Sequence, residues 1–257
     1  MAKMSWQNES LVAWVTRESP PWANEKIRHW HEVYPENNHE IPIQAFILKK
    51  DSKRADIDVS KVVGQWDHYA GQIWLDALMQ PDYKSWKIEN TIRLFDENGS
   101  YYFDDEEKSI YFDSIDGEEW FSNGGGNHRT VIGKFAFAMA EAKTKRKLLL
   151  KNVFVNQYTI DWESYKLLKQ FTNLIKNNKV DIHITVNSKN NEPIFDICDN
   201  RFHKTIMLRE ELRATEFKIF SEWVIRTNGA ISIFDKIKFW LTRFFGNADS
   251  PIYPKLR

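Results

Sequence analysis

Apolar residues follow a helical spacing at the start of the chain. Residues 5–17 and 24–34 each read as a helix, and Ser19-Pro20-Pro21 separates them because proline interrupts helices. Ile41 to Ile47 reads as a short strand with a proline near its start. These patterns predict an N-terminal helical segment that leads into the first strand of a mixed domain.

A longer helix is predicted next, over residues 61–79, with Asp58 or Ser60 as its cap. Its apolar face would consist of Val62, Val63, Trp66, Tyr69, Ile73 and Leu78. Pro81 would end this helix.

The following stretch reads as β structure. Thr91 to Phe95 and Ser100 to Phe103 flank Asp96-Glu97-Asn98-Gly99, whose Asn-Gly pair is typical of a hairpin turn. Residues 109–113 and 118–122 are two further predicted strands. After three glycines the spacing becomes helical again, with apolar positions at Val131, Phe135, Ala138, Met139 and Ala142.

The last hundred residues alternate between helix and strand patterns. A helix is predicted over 161–177, strands over 180–186 and 193–198, and helices near 208–227 and 231–245. The chain is therefore predicted to be α+β. We expect an N-terminal helical segment over 1–38, a central domain over 39–150 and a C-terminal α/β extension over 151–257.

Composition narrows the class of protein. The 257 residues are 42% apolar, which is ordinary for a globular protein of this length. A single cysteine, Cys198, excludes a disulfide within the chain and a cysteine-rich zinc site, and it fits a reducing cytoplasm. The first residues lack the pattern of a secretory signal, and no apolar run reaches the roughly 18 residues of a membrane span. A cytoplasmic protein is expected.

Charge is unevenly distributed although the formal net charge is zero. Residues 82–123 carry twelve acidic and four basic side chains, whereas 134–179 carry three acidic and ten basic ones, and 201–257 carry six and eleven. Because local fields rather than the sum steer polyanions, one face of the protein is open to DNA or RNA.

The segment with the clearest chemistry is a glycine-rich box, Gly124-Gly125-Gly126-Asn127-His128-Arg129-Thr130, between a predicted strand and a predicted helix. Consecutive glycines allow positive φ angles and leave backbone N–H groups accessible. Such groups at a helix start bind anions, and the helix dipole strengthens the attraction. Arg129 would grip phosphate, and His128 would donate a hydrogen bond or act as acid or base. Asn127 adds a neutral donor and acceptor, and Thr130 completes the predicted phosphate-binding set.

This box resembles the Gly-Gly-x-His-Arg signature of the ParB/sulfiredoxin superfamily and is similar to the Gly-x-x-Arg box of ParB-type CTPases. The resemblance extends over about residues 40–145, where the Ile41-Pro42-Ile43 strand, the helix over 61–79 and the strand before the box follow the family's order. It implies a ParB/sulfiredoxin-like core. Asn127 stands where sulfiredoxin has its reactive cysteine, so sulfinic-acid repair is not expected.

Three functions stay open from this resemblance. The first is a ParB-like nuclease that nicks or hydrolyses DNA with Mg²⁺ or Mn²⁺. The second is an NTP-binding switch, NTPase or phosphotransferase that uses the same box. The third is a non-enzymatic protein that binds a partner in the biology of a mobile element, with the box only as a turn. The metal, the substrate and the oligomeric state are not specified by the sequence.

Other residues are candidates on weaker patterns. Phosphodiester hydrolysis needs a metal ion or a general base, and Glu118 is the carboxylate expected to face the box. The cations after the box helix are a candidate DNA-backbone patch, although cations also stabilise a helix C-terminus: Lys143, Lys145, Arg146 and Lys147. His29 and His31 lie in a predicted helix, where their spacing places them on different faces, so no zinc pair is predicted.

Overall fold

The computed structural model describes residues 5–34, 43–79, 85–177, 182–189, 192–199 and 208–226. These residues form a mixed α+β protein with two compact units. The first unit lies within Met1–Pro35 and Lys49–Thr159, and the second within Glu36–Leu48 and Ile160–Arg257. The candidate site belongs entirely to the first unit.

A six-stranded sheet is the framework of the first unit. Its strands are β1 (Arg28–His29), β2 (Ile47–Ile57), β3 (Val62–Gln65), β4 (Tyr111–Ile115), β5 (Trp120–Ser122) and β6 (Leu150–Ile160). They lie in the order β1-β3-β5-β4-β6-β2. The β1–β3, β3–β5 and β4–β6 pairs are parallel, whereas β4 and β5 form an antiparallel hairpin.

Six helices accompany this sheet. They are α1 (Leu11–Glu18), α2 (Trp30–Val33), α3 (Trp74–Met79), α4 (Ser85–Glu97), α5 (Ser100–Phe103) and α6 (Asn127–Thr144). Ten of the eighteen residues of α6 are buried, on all sides of the helix. Since a helix buried all round must be enclosed by other elements, α6 is central to this unit, and it contacts α1, α3 and α4.

The second unit is a three-stranded antiparallel sheet with two helices. Its elements are α7 (Trp162–Asn177), β7 (Ile182–Lys189), β8 (Glu192–Asp199), β9 (Leu208–Arg213) and α8 (Ala214–Arg226), with the strands in sequence order. Its core is aromatic: Phe195 stacks on Phe217 with ring centres 3.9 Å apart, and Phe171 packs edge-on against Phe217.

The strand before the box and the helix after it are confirmed, as are the helix over 161–177 and the strands near 180–186 and 193–198. The segment 208–227 is a strand followed by a helix, and the helix predicted over 231–245 lies outside the described residues. Near the N-terminus, regular helix begins only at Leu11, and 24–34 is a helix only at Trp30–Val33. The described part of the 41–47 strand is a 3-10 turn at Ile43–Phe46, and β2 begins at Ile47.

The helix predicted over 61–79 is confirmed only at its end, as α3 over Trp74–Met79, and is wrong before that. Asp58 does act as a cap, since its carboxylate accepts the Ser60 amide, but it caps only a 3-10 turn over Val59–Lys61. Strand β3 follows at once. Strand β3 can lie between β1 and β5 because residue 64 is a glycine. A Cβ there would lie 2.3 Å from the Arg28 carbonyl oxygen and 2.5 Å from the Phe121 ring. The β-branched Val62-Val63 pair and the following glycine favour a strand over a helix.

The hairpin predicted around Asn98-Gly99 is also wrong, because both flanking segments are helices, α4 and α5. The Asn98 amide continues the α4 ladder to the Leu94 carbonyl, and the Asn98 side-chain oxygen accepts the Ser100 amide. Asn98 thus ends α4 and its side chain begins the turn into α5. An asparagine side chain that accepts a backbone amide two residues later can join two helices as well as two strands.

Among the described residues, the structure has no helix that is both long and apolar enough to cross a bilayer.

A buried lysine on α6 gives the first unit a predicted pH response. Lys134 is 5% exposed, its ammonium donates to the Val62 carbonyl, and it lies 4.6 Å from the centre of the Trp22 ring and 5.0 Å from that of Trp74. Burial lowers its pKa to about 8, against 10.5 for an ordinary lysine. In the window between these values the unfolded chain binds more protons, so stability rises with pH there.

We expect this lysine to add about 1–2 kcal/mol to the free energy of unfolding between pH 8 and 9.5. Lys134→Met replaces the lysine with an apolar side chain one atom shorter and should remove that gain. Urea unfolding of both proteins at the two pH values measures it. Equal slopes with pH in the two proteins would contradict a lowered pKa at Lys134.

Candidate phosphate-binding site

The glycine box forms a tight turn that opens helix α6. Gly124 and Gly126 have φ angles of 60° and 95°, which glycine adopts without strain. Gly126 is the N-cap of α6, and no side chain caps the helix. The Gly125 amide donates to the Asn123 carbonyl, and the first ladder bond runs from the Thr130 amide to the Gly126 carbonyl.

Two amides of this turn are left for a ligand. The N–H groups of Gly126 and Asn127 have no hydrogen-bond acceptor within the described ranges. Because the first N–H groups of a helix have no partner within it, they carry the positive end of the helix dipole. An anion at this point would accept hydrogen bonds from these two amides, which lack an acceptor within the described ranges.

A buried carboxylate anchors the turn to the sheet. Asp113 on β4 is fully buried, and its two oxygens accept from the side-chain amides of Asn123 at 2.6 Å and Asn156 at 2.7 Å. The Asn123 backbone amide also donates to the Tyr111 carbonyl. Burial raises the pKa of Asp113, while the two amide donors oppose that effect. The residue before the glycines is therefore fixed by both its backbone and its side chain.

Asn127 is fixed in the same manner. Its side-chain oxygen accepts from the Ser122 hydroxyl at 2.9 Å, and its carbonyl accepts from the Gln65 side chain at 3.2 Å. Gln65 and Ser122 are fully buried. Asn127, the first residue of α6, is thus held by its side-chain oxygen and by its carbonyl. Its backbone N–H is the group that remains for a ligand.

His128 is the histidine of the box, and its ring contacts Tyr69 and His68. Its Nδ1 lies 2.6 Å from the hydroxyl of Tyr69, and its ring is perpendicular to that of His68 with centres 4.9 Å apart. Tyr69 is 6% exposed, so it is a fixed partner. A hydrogen bond at one ring nitrogen sets the tautomer and therefore the role of the other nitrogen.

Arg129 is the exposed cation of the box. Its guanidinium lies 5.4 Å from the centre of the Tyr101 ring and makes a long contact of 3.4 Å with the Tyr101 hydroxyl. Burial raises the pKa of Tyr101, and the charge of Arg129 opposes that rise. The contact is weak for a charged donor, so the guanidinium has hydrogen bonds left for a phosphate.

These groups meet at one open cavity of about 650 Å³. Helix α4 forms one wall, the box forms another, and residues of the loops next to β3 and β4 complete the lining: His68, Trp86, Lys87, Asn90, Thr91, Ser109, Tyr111, Gly124, Gly125, Gly126, Asn127, His128 and Arg129. The lining contains no carboxylate among the described residues.

Not every predicted residue meets the cavity. Glu118 lies in the turn that joins β4 to β5, outside the cavity lining. Thr130 is 3% exposed, and its hydroxyl has no hydrogen-bond partner in the described structure.

The cations predicted to bind the DNA backbone lie at or just beyond the other end of α6, whose 18 residues span about 27 Å. Lys143 pairs with Glu9 at 2.8 Å, and Lys147 pairs with Asp58 at 2.9 Å. The other two members, Lys145 and Arg146, are exposed. The structure therefore does not bring the predicted DNA-backbone patch to the cavity.

Three donor atoms elsewhere lie within 4.8 Å of one another, on His29, His31 and Asp67. The His29 Nδ1 accepts the His31 backbone amide at 3.1 Å as the cap of α2, which leaves the ring proton of neutral His29 on Nε2, the atom 3.7 Å from Asp67. A metal on Nε2 would need that proton moved to Nδ1 and would break the cap. The cluster fits a capping arrangement and not a metal site.

His68, Tyr69 and the α4 wall are the parts of the site that the sequence did not predict. Tyr69 belongs to the apolar face of the helix predicted over 61–79, and no pattern in the sequence singles out His68. Comparison of the chain with protein-family models, curated proteins and solved structures found no match. The resemblance to the ParB/sulfiredoxin superfamily stays a prediction, and the site has to be interpreted from its own chemistry.

Proposed function

We propose that the cavity binds the phosphate groups of a nucleotide and that the protein hydrolyses a phosphoanhydride bond of that nucleotide there. The observation that carries the proposal is the uncapped start of α6, which opens on the cavity between His128 and Arg129. A helix N-terminus with accessible amides and an adjacent arginine favours phosphate. The histidine held by Tyr69 adds the group that moves protons.

The roles follow from the contacts. The amides of Gly126 and Asn127 bind phosphate oxygens, and Arg129 neutralises the charge that develops in the transition state. When Nδ1 of His128 donates to the Tyr69 oxygen, Nε2 is the basic nitrogen. It takes a proton from the water that attacks phosphorus, the leaving phosphate oxygen departs as an anion, and the imidazolium afterwards releases the proton to solvent.

Cavity size favours a free nucleotide as the substrate. A volume of about 650 Å³ lies within the range of small-molecule sites. The phosphates of a nucleoside triphosphate carry their own Mg²⁺ or Mn²⁺, which suits a lining without carboxylates. This is the NTP-binding, NTPase or phosphotransferase function implied by the ParB-like box.

Arg129→Ala tests the phosphate contact. We expect its affinity for a nucleoside triphosphate to fall about tenfold, which is the value of one charge-assisted hydrogen bond. Isothermal titration with a non-hydrolysable analogue and Mg²⁺ measures this. Arg17→Ala is the matched control, since Arg17 is an exposed arginine on α1 that pairs with Glu9 and is not part of the cavity lining. Equal affinities in the Arg129 variant and the wild type would contradict the proposed contact.

DNA hydrolysis is the second candidate, and the neighbouring His68 and His128 rings favour it. Two imidazoles can act as base and acid on a phosphodiester without a metal. A supercoiled plasmid, incubated with and without Mg²⁺ or Mn²⁺, tests this function. Nicking that is lost in His128→Ala supports a nuclease, and absence of nicking by the wild type rejects it. A protein that binds neither nucleotide nor DNA would leave the non-enzymatic function.

A further inference from the structure

Two large aromatic side chains of the cavity lining are exposed. Trp86 is 64% exposed and Tyr111 is 40% exposed, although both are large apolar side chains. Both line the cavity. An exposed tryptophan inside a cavity leaves its ring face available for a flat partner, and aromatic rings stack on nucleobases of every type.

The two rings are held differently. Tyr111 packs against Phe154 with ring centres 5.7 Å apart, and a Cβ on Gly125 would lie 3.2 Å from its ring. The Tyr111 ring is therefore held in place beside the glycine turn. The Lys87 ammonium lies 5.6 Å from the centre of the Trp86 ring. Its positive charge would also attract an anionic ligand in the cavity.

A polar group lies one helical turn from the tryptophan. Residues 86 and 90 are neighbours on one face of α4 because they are four positions apart. The Asn90 oxygen accepts from Arg93 at 2.8 Å, which directs its NH₂ group as the remaining donor. Within the described ranges this NH₂ has no acceptor, and Asn90 lines the cavity. It can donate to a ring nitrogen or carbonyl at the edge of a base.

We propose that the α4 wall is a nucleobase subsite in which Trp86 stacks on the base and Asn90 donates to its edge. This inference rests on the proposed phosphate site, because the glycine box fixes the other end of the same ligand. The substrate class is then a nucleoside phosphate and not inorganic polyphosphate or a sugar phosphate.

Isothermal titration with two ligands separates the subsite from the phosphate site. The first is a non-hydrolysable nucleoside triphosphate and the second is inorganic tripolyphosphate, each with Mg²⁺. The wild type should bind the nucleotide about tenfold more tightly than tripolyphosphate. Trp86→Ala should lower nucleotide affinity to the level of tripolyphosphate and leave tripolyphosphate binding unchanged, whereas Trp86→Phe should keep most of the preference.

Trp162→Ala is the matched control, because Trp162 is also a partly exposed tryptophan but belongs to the second unit. Equal affinity of the wild type for both ligands would overturn the base subsite and leave the phosphate site standing. A parallel loss of both affinities in Trp86→Ala would also overturn it, because the tryptophan would then act on the fold. Binding of neither ligand to the wild type would reject the phosphate site and the inference together.

Discussion

Replacing His128 with alanine is expected to lower kcat for nucleotide hydrolysis by about 10²–10⁴-fold, the usual contribution of a positioned acid–base group. The affinity for the nucleotide should change little, because the phosphate contacts come from backbone amides and Arg129. A loss in kcat at constant affinity marks an interaction made in the transition state. Phosphate release under single-turnover and steady-state conditions measures both quantities.

Tyr69→Phe is the companion of that variant. It removes the hydroxyl that meets Nδ1 of His128 and keeps the ring that packs beside it. Because Tyr69 acts through His128, kcat should fall by about tenfold and its pH dependence should shift, while affinity is kept. Hydrolysis by His128→Ala at the wild-type rate would contradict the proposed role of the histidine.

Replacing Asp113 with alanine is expected to have the second largest effect, a decrease of about 2–4 kcal/mol in the free energy of unfolding. The fully buried carboxylate is the acceptor for the amide groups of Asn123 and Asn156. Its removal leaves two partly buried donors without that acceptor. Nucleotide affinity should fall too, since Asn123 is the residue that anchors the glycine turn.

Two further variants test whether the loss of stability comes from the missing acceptor. Asp113→Asn keeps one acceptor oxygen and should cost less than alanine. Asp105→Ala is a surface control, because that carboxylate is 79% exposed and pairs with Lys151; it should change stability much less than Asp113→Ala does. Urea unfolding measures all three. If Asp113→Ala is as stable as Asp105→Ala, Asp113 does not anchor the turn.

The glycine box was predictable because its signal is local. Three consecutive glycines between a strand and a helical pattern leave little alternative to a turn that opens a helix. The strand before the box and the helix after it were found at the expected positions for this reason. Apolar residues on all sides of α6 extend the pattern over eighteen residues, which makes the type of element clear.

The segment 61–79 shows why the rest was harder to predict. Val62, Trp66, Tyr69 and Ile73 have helical spacing, yet Val62 is buried in a strand and Tyr69 is buried in the loop after it. Tertiary contacts from β1 and β5, including the close approach at Gly64, determine this local structure. The resemblance to the ParB/sulfiredoxin superfamily includes a helix over 61–79, where the structure has strand β3 and the short helix α3; the resemblance itself stays a prediction.

The candidate site depends on contacts between residues far apart in the sequence. Tyr69 and His128 are 59 positions apart, and no periodic pattern connects them. Glu118 was chosen because it is near the box in sequence, but it lies in the turn at the far end of the short strand β5. The exposure of Trp86 depends on what surrounds α4, and sequence alone does not give that information.

The most direct test of the phosphate site is a crystal structure of the protein with a non-hydrolysable nucleoside triphosphate and Mg²⁺. The account predicts a phosphate oxygen about 3 Å from the backbone nitrogens of Gly126 and Asn127, with the Arg129 guanidinium turned towards it. A nucleotide bound elsewhere, or these two amides hydrogen-bonded to the protein's own carbonyls in the complex, would contradict it.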